Sequence, residues 1–321
     1  MGTRTILILV VASLAGASLA GCSSSSAPPD DGRLSVVTSF YPLEYAASAV
    51  GGDRVDVTDL TPPGVEPHDL ELSSDQLDSI LDADVVLYLG GGFQPAVEDA
   101  VRQRGSDQIT VDVLHELGSA VQPPGPGVAE GKETSDPHVW LDPKLMDRMV
   151  DVVVRALDRA DPIDGISSTH NGTPGDLGYR HAAISLHSDL ADLDREYRAR
   201  LARCDSDVIV TTHAAFGYLA DEYGLRQEPM TGLSPEGEPD PARLAEIEDL
   251  IRREQVTTVF TEPLATSDIA ETVARETGAR VATLDPIESL TDAERTSGDD
   301  YFTIMRKDLE ALRGALGCTG G

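Results

Sequence analysis

The chain has 321 residues, enough for two lobes that each bury a core, and it carries 56 acidic against 25 basic residues for a net charge of -31. That charge speaks against nucleic acid or an anionic membrane surface as a partner. It suits a strongly solvated protein in a salty or cation-rich medium.

The first residues predict export. Arg4 supplies a positive start, and residues 6–20 form an apolar stretch of signal-peptide length, short for a membrane span. It ends in Leu19-Ala20-Gly21-Cys22, which resembles the bacterial lipobox, where the cysteine is lipidated and becomes the first mature residue. The expectation is a lipoprotein signal peptide over 1–22, with a plain signal peptide as the alternative. The Ser- and Pro-rich residues 23–33 lack the apolar content for a core and read as a flexible tether. A diacylglyceryl group on Cys22 supplies the two chains that lasting anchorage requires.

Beyond the tether, short β-rich runs alternate with helical patterns. Strands are predicted over 34–40, 55–60, 85–89 and 109–113, with helices over 42–50, 75–81 and 94–105 between them. Residues 122–137 read as a surface loop, 143–159 as a helix and 161–176 as a second loop. The longest helical pattern runs from Leu177 to Arg203, with Ala183, Leu186, Leu190, Leu193, Tyr197 and Leu201 spaced by three or four. Such a helix spans roughly 40 Å, long enough to cross between lobes. A second α/β set follows: strands over 208–212, 256–261 and 280–284, and helices over 214–223, 241–254, 267–277 and 301–316. This alternation predicts an α/β fold of mainly parallel sheets covered by helices.

Three of the seven histidines, His68, His138 and His213, sit where the chain leaves an α/β unit, and Asp285 holds a matching place after Val281-Ala-Thr-Leu. In open α/β sheets the carboxyl ends of the strands face the ligand crevice. Two facing sheets could therefore bring these four side chains to one point. Three neutral imidazoles and a carboxylate suit zinc, with manganese as runner-up because a harder ion favours more oxygen. Ordinary hydrogen-bonded loop histidines remain the competing reading. Glu262, which also ends a strand, is either an acceptor behind a ligating imidazole or an ordinary hydrogen-bonded residue. Tyr88 and Trp140 read as packing residues. His115, His170, His181 and His187 lack the placement of the first three. Cys204 and Cys318 remain once Cys22 is assigned to lipid. Export permits a disulfide between them, and two free buried thiols are the alternative.

At these residues the sequence resembles the metal-binding lipoproteins of zinc and manganese ABC importers, the cluster A-I solute-binding family. The likeness runs through Ser39-Phe-Tyr-Pro-Leu, Pro62-Pro-Gly, Pro67-His68-Asp69, Asp136-Pro-His-Val-Trp-Leu-Asp-Pro, His213-Ala-Ala-Phe-Gly-Tyr-Leu, Phe260-Thr-Glu-Pro and Asp285-Pro. It implies an N-terminal lobe over 34–175, a linking helix over 176–203 and a C-terminal lobe over 204–321, with the metal between the lobes. It also implies His68, His138, His213 and Asp285 as ligands. Relatives with histidine at the third position are usually zinc proteins, so His213 favours zinc. The resemblance further implies an extracytoplasmic, membrane-anchored monomer that hands its ion to an ABC permease and its ATPase. A zinc hydrolase is the rival from another class. It needs an open coordination position, and the sequence has no HExxH helix.

Overall fold

The computed structural model describes residues 32–122, 135–162, 178–237 and 239–319. The signal peptide, Cys22, almost all of the tether, His170 and most of the two predicted loops lie outside the described residues. In chain order the first set of elements is β1 (Leu34–Thr38), α1 (Tyr41–Gly51), β2 (Val55–Asp59), α2 (Ser74–Asp82), β3 (Val85–Tyr88), α3 (Pro95–Val101), β4 (Ile109–Asp112), α4 (Val113–Leu117) and α5 (Pro143–Ala160). The long helix α6 (Gly178–Leu201) follows. The second set is β5 (Val208–Thr211), α7 (Gly217–Tyr223), β6 (Arg226–Pro229), α8 (Pro241–Glu254), β7 (Thr258–Thr261), α9 (Asp268–Thr277), β8 (Arg280–Thr283), α10 (Asp292–Ser297) and α11 (Tyr301–Leu316).

Two α/β lobes result. Each has a four-stranded sheet, ordered β2-β1-β3-β4 in one and β6-β5-β7-β8 in the other, and every pairing is parallel. In both, the strand order reverses beside the first strand, the kind of place where open α/β sheets hold ligands. The central strands are continuous apolar runs, because helices cover both faces: Val85, Val86 and Leu87 of β3 and Ile209 and Val210 of β5 are wholly buried.

Local chemistry fixes the helix starts. Ser73 and Gln76 form a reciprocal cap on α2, Thr291 and Glu294 one on α10, and the carboxylates of Asp142, Asp240 and Asp300 cap α5, α8 and α11. Pro143 and Pro241 sit in the first turn, where a missing N–H costs nothing. Helix α6 buries Tyr179 and the whole predicted stripe from Ala183 to Leu201. It packs on α5 and α1 of the first set and on α11 and α7 of the second. One apolar cluster therefore runs through both lobes, from Val36 and Trp140 to Phe260 and Leu312. Full burial of each Leu or Phe contributes about 1.5–3 kcal/mol. The disulfide between Cys204 and Cys318 is formed, and it ties the end of α6 to the segment after α11.

Three elements differ from the sequence expectation. The strand β6 (Arg-Gln-Glu-Pro) carries no apolar pattern because it is a sheet edge with one half-exposed face. The helices α4 and α10 are too short for a 3.6-residue period to register.

Candidate metal centre

Every residue of the candidate site leaves the carboxyl end of a strand or the connection beyond it. His68 lies in a single 3-10 turn, Pro67–Asp69, after β2, where Pro67 sets the backbone and the Glu66 carboxylate accepts the His68 N–H at 3.2 Å. Its ring meets Phe93 edge-on, with centroids 4.6 Å apart. His138 precedes the turn Val139–Leu141 that leads into α5. Asp136 Oδ1 accepts its backbone N–H at 3.0 Å and lies 2.8 Å from its Nδ1. His213 leaves β5. Glu262, at the end of β7, stands 2.6 Å from its Nδ1 and accepts its N–H at 3.3 Å, while the Thr212 hydroxyl donates to the same carboxylate.

These partners decide what the imidazoles of His138 and His213 present. A carboxylate at Nδ1 keeps the proton on that nitrogen and aims the Nε2 lone pair forward. The Nε2 atoms of His68, His138 and His213 converge on the Glu288 carboxylate, whose Oε1 lies 3.6, 3.3 and 3.4 Å from them respectively. One donor atom from each of the four residues falls within 4.8 Å of all the others. His138 and His213 are completely buried and His68 and Glu288 nearly so. The three Nε2 atoms and Glu288 Oε1 have no hydrogen-bond partner. Four buried polar atoms without partners, pointing at one place, carry a large desolvation cost that a cation would offset.

The electrostatics follow from burial set against these neighbours. Burial pulls His68 below the ordinary imidazole value, despite the opposing pull of Glu288. Burial acts the same way on His138 and His213, but it is outweighed. Asp136 and Glu288 raise His138, and Glu262 and Glu288 raise His213 well above the usual range. Glu288 is pushed up by burial, yet the three imidazoles that face it, His138, His213 and His68, hold it well below the carboxylate range. Glu66, at the edge of the cluster, is raised to about 9 by burial and by the Glu288 charge.

The structure thus places His68, His138 and His213, three of the four residues singled out in the sequence, beside one another, and the carboxylate among them is Glu288. Asp285, the expected fourth ligand, is not in the cluster. Its Oδ1 accepts the Ile287 N–H at 2.8 Å. Burial, with Glu294 adding to it, pushes its carboxyl well above the usual range. Asp285 is the first carboxylate after β8, but the backbone at Ile287 has a φ of 56°, and this left-handed turn presents Glu288, three residues after Asp285, instead. Glu288 is visible in Asp285-Pro-Ile-Glu-Ser-Leu only as a second acidic residue of the same loop. Among the other candidates, Glu262 lies behind His213. Trp140 is fully buried, and its indole N–H donates to the Pro286 carbonyl at 2.7 Å. His187 pairs at the surface with Asp147 at 2.6 Å.

With this geometry in place, comparison with known proteins is informative. The family model of the zinc-uptake complex component A, periplasmic (ZnuA), matches residues 36–315. The high-affinity zinc uptake system protein ZnuA of Bacillus subtilis is 31% identical over 309 residues, covering 93% of both chains. The zinc-binding protein AdcA of Streptococcus pyogenes is 33% identical over 300 residues, which cover 88% of this chain and 56% of AdcA. This chain therefore spans little more than half the length of that streptococcal relative. The crystal structure of the Zn(II)-bound ZnuA-like domain of Streptococcus pneumoniae AdcA superposes with a TM-score of 0.72 at 31% identity, covering 89% of this chain and 99% of that domain.

Proposed function

Because the chain belongs to the ZnuA family of periplasmic zinc-uptake components, we propose that it captures one zinc ion and delivers it to a membrane permease driven by an ATPase. The ion sits among His68 Nε2, His138 Nε2, His213 Nε2 and the Glu288 carboxylate. The observation that carries this reading is the convergence of four buried, unpartnered donor atoms within 4.8 Å. Three imidazole nitrogens and one carboxylate oxygen form the tetrahedral N/O shell that zinc favours, and manganese would draw on more oxygen donors. Asp136 and Glu262 act behind His138 and His213, fixing the rings and raising their basicity.

In this reading residues 34–175 and 204–321 are the lobes that dock on the permease, with 176–203 as the stiff link. Helix α6 packs on both sets of elements, so lobe movement is small. Cys22 anchors the protein to the extracytoplasmic face of the membrane by lipid, and the protein works as a monomer. Four protein donors complete the shell and leave no position for an activated water, so the reading gives the chain no reaction to catalyse.

The test is metal analysis of the protein purified without added metal, with calorimetric titration of the metal-free form by zinc and by manganese. One zinc per chain, bound more tightly than manganese and lost in His213→Ala and Glu288→Gln, is expected. Stoichiometric zinc with parental affinity in both variants would remove the site from these residues.

A further inference from the structure

Among the described residues no backbone group donates to the Glu288 carboxylate, so the backbone that carries it sets where the side chain starts, and Glu66 and the imidazoles act only from there. That backbone is unusual. Ile287, immediately before it, has a φ of 56°, a left-handed conformation that is strained for a β-branched residue. Only Gln255 shares a positive φ among the described non-glycine residues.

Three hydrogen bonds hold this turn against its strain. The Asp285 carboxylate accepts the Ile287 N–H at 2.8 Å, the two-residue turn that aspartate side chains favour. The N–H of Asp285 itself donates at 2.9 Å to Asp308 of α11. From the other lobe, the Trp140 indole N–H donates at 2.7 Å to the Pro286 carbonyl. Trp140 is in turn fixed by the Tyr301 hydroxyl, which donates to its carbonyl at 2.7 Å. Beyond Glu288, the Ser289 hydroxyl donates to the Pro62 carbonyl, and the Leu290 carbonyl accepts the Gly64 N–H. Pro62 and Gly64 lie in the loop that leads to His68. The loop bearing Glu288 is therefore pinned to the two loops bearing His68 and His138.

We propose that Asp285 is a positioning residue: it accepts the Ile287 N–H to lock a strained left-handed turn, and with the Trp140–Pro286 bond this sets the Glu288 carboxylate against the three imidazoles. The inference rests on the metal-centre reading above and goes beyond it by giving a role to a carboxylate that is not a ligand. Asparagine at 285 keeps the acceptor oxygen and removes the second carboxyl oxygen that a metal could use. Alanine loses both. A metal ligand and a positioning residue respond differently to that pair.

The experiment measures zinc affinity by chelator competition, and the visible spectrum of the cobalt-substituted protein, for Asp285→Asn, Asp285→Ala, Trp140→Phe and Glu288→Gln. The cobalt bands report the geometry of the shell directly, which a purely structural role would leave unchanged in the folded protein. Asp285→Asn is expected to bind within about threefold of the parent with the parental spectrum. Asp285→Ala and Trp140→Phe are expected to lose roughly 10–100-fold, with altered band intensity. If Asp285→Asn falls as far as Glu288→Gln, Asp285 is itself a ligand and the inference is overturned while the metal centre stands. Parental affinity and spectrum in Trp140→Phe also overturn it, even where Asp285→Ala fails to fold. If Glu288→Gln binds as the parent does, the metal-centre reading itself fails, a separate result.

Discussion

The first prediction concerns protons. His138 and His213 are both raised above the ordinary imidazole value, chiefly by Asp136, Glu262 and Glu288 acting against burial, while His68 is lowered by burial. In the metal-free protein the neighbouring carboxylates thus bias His138 and His213 towards holding a proton on the nitrogen that zinc needs, while burial biases His68 against it. Zinc binding therefore releases protons, and its affinity falls as the pH drops, about tenfold per pH unit for each proton released, about 1.4 kcal/mol. The slope steepens once the pH drops low enough to protonate His68. Calorimetry in buffers of different ionisation enthalpy counts the released protons directly.

The same shifts give opposite trends for the two forms. A histidine raised in the folded state contributes stability that is fully present below its unfolded value, about 6.5, and lost as the pH rises through the folded value. The metal-free protein thus loses this contribution as the pH rises above about 6.5, while the zinc complex gains. Zinc at a thousand times its dissociation constant adds about 4.1 kcal/mol, roughly 10 °C in Tm, and this increment should grow with pH. Release of no protons, or an affinity indifferent to pH between 7 and 5, would refute the reasoning.

Three further outcomes follow. Replacing Cys204 and Cys318 together by serine opens a loop with a sequence separation of 114; the chain-entropy model gives a loss of about 5 kcal/mol, seen as a lower Tm with unchanged zinc affinity. Leu193→Ala, at a wholly buried position of α6, should cost about 2–5 kcal/mol by denaturant titration, again without moving zinc affinity at conditions where the protein stays folded. Asp136→Ala removes the acceptor at His138 Nδ1, so zinc affinity should fall roughly 10–100-fold and fewer protons should be released, both read in the same calorimeter.

The parts of the molecule that were legible in the sequence are those governed by periodicity. The stripe from Ala183 to Leu201 gave α6 and its buried face, and the apolar runs at Val85 and Val208 gave the central strands, since a parallel sheet leaves such runs no polar face. Three of the four cluster residues were also legible, because a histidine at the carboxyl end of an α/β unit points into the crevice whatever its neighbours are. The fourth was not. Its identity depends on a left-handed isoleucine, a conformation that residue type argues against, and on bonds from Trp140 and Asp308, which are remote in sequence. The edge strand Arg226–Pro229 was hidden for the converse reason: it is held by backbone pairing with β5 and not by an apolar pattern.

The arrangement of carboxylates explains how a buried site can remain stable both empty and filled. Moving an isolated charge into an apolar interior costs far more than a protein can sustain, so such a site must hold nearly constant charge. Without metal, the Glu288 carboxylate is surrounded by His138 and His213, both raised towards their charged form. When zinc enters, protons on these imidazoles leave as the doubly charged ion arrives, so the change in charge is reduced. Glu288 keeps an opposite charge beside it in either state. Asp136 and Glu262 remain behind the two imidazoles throughout, first facing imidazolium and then facing rings polarised by the ion. Proton-for-metal exchange keeps the charge change of so enclosed a cluster small as it takes up its ion and gives it away.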